Sequence, residues 1–178
     1  MVRKEIKELV RFLRRDERYR RLKNLFDTSP IYRLSIEQLG EEVMALHKTR
    51  PIRRLNAMDP KIVDSVVNAL TTDQSNRSRL TEISITCMSA QTSLQQAIDS
   101  LRYHLVSTYQ DELRQFRTKD ERMMVIDMTF TQFERYITKV SILKAKADQV
   151  IVDIDKGGWA LRTLADVLKI HHGREMQL

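Results

Sequence analysis

The sequence predicts an all-α protein built around a long antiparallel helical hairpin, with a short C-terminal helix and a smaller N-terminal helical region. Three observations predict it. Between Lys61 and Lys156 there is neither Gly nor Pro, whereas a β-protein of this length needs turn residues there. Apolar residues recur at near-heptad spacing in two stretches, Leu80 to Leu105 and Met123 to Ile154. Between them, Arg114-Gln-Phe-Arg117-Thr-Lys119-Asp-Glu-Arg122 interrupts the apolar pattern with charge and reads as a turn. At ~1.5 Å per residue the two helices reach roughly 50–60 Å, and so short a join folds them back on each other. Seams this long leave apolar surface that partner chains usually cover, so a homo-oligomer is expected.

The N-terminal region, residues 1–72, is read as basic and helical, and residues 73–178 as the hairpin, its C-terminal helix and the oligomerisation element. Val2 to Phe26 reads as one helix with Ile6, Leu9, Val10, Leu13, Leu22 and Leu25 on its apolar side. Its other faces carry Arg and Lys in excess, either a solvated surface or a basic arm for phosphates. Asp27-Thr-Ser-Pro30 breaks it. Ser35 and Gln38 form a capping box that starts a helix over Ile36 to Lys48, weakened by ~1 kcal/mol at Gly40 relative to Ala. A basic connector follows, Lys48-Thr-Arg50-Pro-Ile-Arg53-Arg54. Asp59-Pro60 is a helix start, with Ile62, Val63, Val66, Val67 and Leu70 on one face. Polar Thr71 to Ser75 reads as a loop or a continuation.

The first hairpin helix, from about Asn76 to Phe116, buries Leu80, Ile83, Cys87, Ala90, Leu94, Ala97 or Ile98, Leu101 and Leu105. The second, Asp120 to Asp155, carries Met123, Ile126, Phe130, Phe133, Ile137, Val140, Ala147, Ile151 and Ile154. Its seam misses a beat at Lys144, read as a register or oligomer-state device. Gly157-Gly158 is expected to end this helix. Trp159 then opens a short helix to His171, folded back on the hairpin with Trp159 as a packing anchor and Gly173 as the stop.

Chemistry-bearing patterns are few. Cys87 is the only cysteine, so an intrachain disulfide and a Cys-based zinc site are excluded, and its place on the stripe reads as a buried, inert thiol in a reducing, cytoplasmic setting. His171-His172 point different ways on a helix and read as a solvated end rather than a metal site. No P-loop, dinucleotide fingerprint or nucleophile elbow occurs, so neither an enzyme nor a cofactor is expected. No long apolar run predicts a membrane span, and the charged start does not resemble a signal peptide.

Charge points to a partner instead. Lys and Arg number 31 against 24 Asp and Glu, giving +7 and a pI near 9.7. Nucleic acid is the commonest partner of such a chain. Two clusters are candidate phosphate contacts: Lys48, Arg50, Arg53 and Arg54 in the connector, and Arg114, Arg117 and Lys119 at the hairpin turn. Phe116 or Tyr109 would supply stacking, while Phe130, Phe133 and Tyr136 are spaced as core.

Asp155-Lys-Gly-Gly-Trp-Ala-Leu-Arg-Thr-Leu-Ala-Asp-Val167, after two long helices and a charged turn, resembles the end of phage recombination mediators of the UvsY type. The resemblance spans about residues 77–173. It implies a helical, ring-forming protein that binds single-stranded DNA and helps a RecA-like recombinase displace single-strand-binding protein. It also places DNA contacts near the end of the first hairpin helix, where Arg114 and Arg117 stand. A phage small terminase subunit acting on duplex DNA and a helical scaffold without nucleic acid are the alternatives.

Overall fold

A computed structural model describes the backbone of residues 2–51 and 62–175 and the side chains of residues 4–51 and 62–167. Six α-helices are described: α1 (Val2–Leu13), α2 (Glu17–Thr28), α3 (Ile36–Lys48), α4 (Ile62–Thr108), α5 (Gln110–Leu113) and α6 (Lys119–Glu175), with a 3-10 turn at Pro30–Tyr32. No strand occurs among the described residues. The all-α hairpin is therefore present, with α4 and α6 as its arms.

The chain divides into two compact units, residues 1–35 with 87–141 and residues 36–86 with 142–178. Each takes one portion of α4 and one of α6. In the first unit, Ala90, Leu94, Ile98, Leu101 and Leu105 of α4 meet Val125, Ile126, Phe130 and Phe133 of α6. Ile6, Leu9, Val10, Leu13, Tyr19 and Leu22 of α1 and α2 close the same core. Phe26 packs edge-on to Phe133 and to Tyr136, with ring centroids 5.1 and 5.2 Å apart. Burial pushes the Tyr136 hydroxyl up to about 12.

In the second unit Ile62, Val66, Ala69 and Leu161 form an apolar cluster. Polar ties join its helices. Ser84 donates to Asp148 at 2.6 Å, Arg77 reaches Asp155 at 2.7 Å and Arg79 reaches Glu42 at 2.6 Å. Ser84 and Arg77 descend α4 as Asp148 and Asp155 ascend α6, which is the antiparallel order.

The stripe Leu80 to Leu105 is buried as its spacing predicts, with Ala97 half-buried beside Ile98. Four details differ from the sequence expectation, and at Thr71 to Ser75, read as a loop or a continuation, the continuation forms. Residues 2–26 are two helices, broken at 14–16. After Leu13 no apolar residue continues the phase of α1, and the Asp16 carboxylate instead caps α2, accepting from the Arg18 and Tyr19 amides at 2.8 and 3.2 Å. Thr71 to Ser75 is helix, part of an unbroken α4. Asp73 takes a seam position there, 2% exposed, because the Arg50 guanidinium meets it at 2.7 Å. The seam of α6 misses no beat, since Leu143 fills the position and Lys144 lies beside it, paired with Asp148. Gly157-Gly158 does not end α6. Neither has a positive φ, and Ile154 and Leu161, seven residues apart on the buried side, carry the helix across. Trp159 consequently stays in the helix and does not fold back; it is 73% exposed. The C-terminal short helix is thus the end of α6. Pro60, Arg53 and Arg54 lie outside the described residues, as do the side chains of His171 and His172.

Candidate nucleic-acid interface

Residues 1–35 hold eleven Lys or Arg against five Asp or Glu, an excess of six. The remaining 143 residues hold twenty against nineteen, an excess of one. Nearly all the net charge therefore belongs to α1, α2 and the turn after them. Because Ile6, Leu9, Val10 and Leu13 occupy the buried side of α1, Lys4, Lys7 and Arg11 fall at helical spacing on an exposed side. Tyr19 and Leu22 orient α2 in the same way, leaving Arg18, Arg20, Arg21, Lys23 and Asn24 exposed.

These cations differ in what they touch. Arg14 anchors α1 to the hairpin, donating to the backbone carbonyls of Met128 and Thr129 at 3.0 and 3.4 Å. Arg21 pairs with Glu17 at 2.5 Å and Lys23 lies 3.9 Å from Asp27. Lys4, Lys7, Arg11, Arg15, Arg18 and Arg20 form no side-chain ion pair among the described residues. Such side chains take phosphate oxygens without first breaking a contact.

Asp16 fixes the corner that presents Arg15 and Arg18. One carboxylate oxygen caps α2; the other accepts from the Tyr109 hydroxyl at 3.0 Å and lies 3.2 Å from His104 Nε2. Burial by itself raises this carboxyl. The Tyr19 amide, His104, Tyr109 and the Arg18 amide together outweigh it and hold the group below the usual carboxylate range.

The two clusters singled out from sequence fare differently. Lys48 is exposed at the end of α3. Arg50 is 5% exposed and committed to Asp73 through three hydrogen bonds of 2.7–3.2 Å, so its charge is not presented to solvent. At the hairpin turn Arg114, Arg117 and Lys119 are all exposed and near in sequence, and the backbone there is held by a capping box. Glu121 accepts from the Arg117 and Thr118 amides at 3.0 and 3.2 Å, while the Glu121 amide donates to Thr118 Oγ1 at 3.1 Å. Arg114 pairs with Asp111, and Asp111 and Glu112 line a groove with Glu5 and Glu8 of α1. The turn is therefore electrostatically mixed; on α1 Glu8 borders the Lys4–Lys7–Arg11 side, but none of these three cations is drawn into an ion pair among the described residues. Phe116 is buried and Tyr109 is held by Asp16, so neither is a stacking surface. The exposed aromatics are Phe12, which packs edge-on to Tyr109, and Tyr103 and Trp159.

The cations of α1 and α2 were legible in the sequence as a charge count by segment. Motif spacing drew attention to the shorter clusters instead. Among the described residues no group of three His, Cys, Asp or Glu is arranged to hold a metal ion, and no helix is long and apolar enough to cross a membrane. No family model, curated protein or solved structure significantly matches this chain.

Proposed function

We propose that this chain binds single-stranded DNA through the cationic faces of α1 and α2. We propose further that it acts as a recombination mediator, presenting the strand to a RecA-like recombinase in place of single-strand-binding protein. The observation that carries the binding step is the placement of six of the seven net positive charges on residues 1–35, with Arg11, Arg15, Arg18 and Arg20 exposed and in no ion pair among the described residues. Lys48, Arg53, Arg54, Arg117 and Lys119 are secondary contacts in this reading. The mediator role rests on the resemblance of Asp155 to Val167. Assembly of several copies belongs to the same reading, supported by Val63, Val67, Ile85 and Met88, four large apolar residues about half exposed along α4.

A salt titration of binding to a labelled oligo(dT) tests it. Affinity should fall with a log–log slope of about −0.7 per phosphate contact. Replacing Arg11, Arg15 and Arg18 together by Glu should lower affinity at least about tenfold and flatten that slope. The triple variant Arg114→Glu, Arg117→Glu, Lys119→Glu should cost less. Equal binding by the α1–α2 variant and the parent protein would remove this face from the proposal.

One observation favours a second reading. α2 follows α1 after a three-residue turn and exposes Arg18, Arg21 and Asn24, side-chain types that read base edges in a major groove. Duplex binding, as by a small terminase subunit, would give preference for a duplex over an equal-length single strand in the same titration.

A further inference from the structure

Trp159 is the only tryptophan of the chain and is 73% exposed, on a helix that continues through two glycines. Beside it, within the unit of residues 36–86 and 142–178, opens a groove of about 740 Å³ whose walls include Gln74 and Arg77 of α4 and Asp155, Gly158, Trp159 and Arg162 of α6. That volume lies inside the range of small-ligand sites, roughly 300–1,000 Å³. A Cβ added at Gly158 would meet nothing within 4 Å, so the space beside this wall is open and a larger side chain there would enter it.

The charges of the groove do not cancel. Asp155 is neutralised by Arg77, whose guanidinium donates to both of its oxygens at 2.7 and 3.3 Å. Asp73, deeper in the lining, is neutralised by Arg50. Arg162 is exposed and forms no ion pair among the described residues. A flat apolar face beside one uncompensated guanidinium fits a ligand that is aromatic and anionic together. A second copy of the same groove is disfavoured, since it would bring Arg162 against Arg162.

We infer that this groove holds an unpaired nucleobase stacked on the Trp159 indole, with its phosphate on Arg162. This rests on the single-strand reading above and adds to it a stacking site on residues other than the cationic helices. Trp159→Ala should weaken oligo(dT) binding roughly 5- to 150-fold, the effect of removing one stacked base. Gly158→Leu should do the same by filling the groove, while raising helix propensity.

The experiment follows oligo(dT) binding by two signals at once, anisotropy of a label on the strand and emission of the indole. The expected result is quenching of Trp159 that saturates with the anisotropy and is abolished by Gly158→Leu and by Arg162→Glu, with circular dichroism unchanged in both variants. An anisotropy change without quenching overturns the stacking site and leaves the cationic interface standing. Indole emission that follows protein concentration and ignores the strand assigns the surface to a second copy and also overturns it. No anisotropy change with any strand overturns both readings.

Discussion

In the unit of residues 1–35 and 87–141, α4 and α6 meet their third layer through rings and branched chains: Tyr19, Leu22, Phe26 and Tyr32 against Phe130, Phe133 and Tyr136. In the unit of residues 36–86 and 142–178, α3 adds the fully buried Val43, and α3 with the segment after it adds polar ties to the same two helices: Arg79 with Glu42, Asp153 with His47, and Asp73 with Arg50. The heptad repeat builds the pair of arms in both. What differs is the residue type placed just off the seam, and that decides how each unit is stabilised. Buried rings contribute by area and packing, with little dependence on salt. Half-exposed ion pairs contribute about 0–1 kcal/mol each. Among the polar ties of the second unit, the buried Arg50–Asp73 pair is therefore the one whose disruption costs most.

The sharpest tests remove one support from each side. Phe133→Ala should destabilise the first unit by ~4 kcal/mol, since it deletes a fully buried ring that three other aromatics touch. Denaturant unfolding gives the magnitude, and hydrogen exchange should place the loss in residues 1–35 and 87–141. Asp73→Ala should cost ~3 kcal/mol in the second unit, because Arg50 is left buried without its counter-charge. The double replacement Arg50→Met, Asp73→Leu should recover most of that. A double variant no better than the single one would mean that the pair fixes geometry that apolar packing cannot replace.

Asp16→Ala comes next, at ~1–2 kcal/mol, for the loss of the α2 cap and its two side-chain contacts. Its folded-state pKa lies below the unfolded one, so its contribution is complete above the ordinary carboxylate range. That contribution is lost as pH falls from the unfolded value through the folded one. The parent protein should thus lose stability on acidification over that window, and the variant should lose less. The smallest effects are gains: Gly40→Ala and Gly158→Ala should each stabilise by up to ~1 kcal/mol, as neither Cβ meets another atom within 4 Å. Thermal midpoints of the two variants would show it.

The arms of the hairpin were legible because each seam position is an apolar residue at a fixed interval, from Leu80 to Leu105 and from Ile126 to Ile154. What was not legible depends on partners distant in sequence. Asp73 lies in a stretch that reads equally as loop or helix until Arg50, twenty-three positions earlier, supplies its counter-charge. Phe116 and Tyr109 look available for stacking until the core and Asp16 claim them. Gly157-Gly158 looks like a stop, but local propensity of ~1 kcal/mol per glycine is outweighed by the apolar contacts on either side. The cationic faces of α1 and α2 were visible as charge; their separation into two helices depends on Asp16, whose role as a cap is set by His104 and Tyr109 far along the chain.

Cys87, completely buried on the seam of α4, gives the molecule a clock. A thiol reagent reaches that sulfur only in moments when the structure around it opens. Under native conditions the rate of its modification counts those openings, and with excess reagent it measures how often they occur per second. A hairpin that assembles with further copies or lies along a strand should be labelled more slowly than the same chain alone.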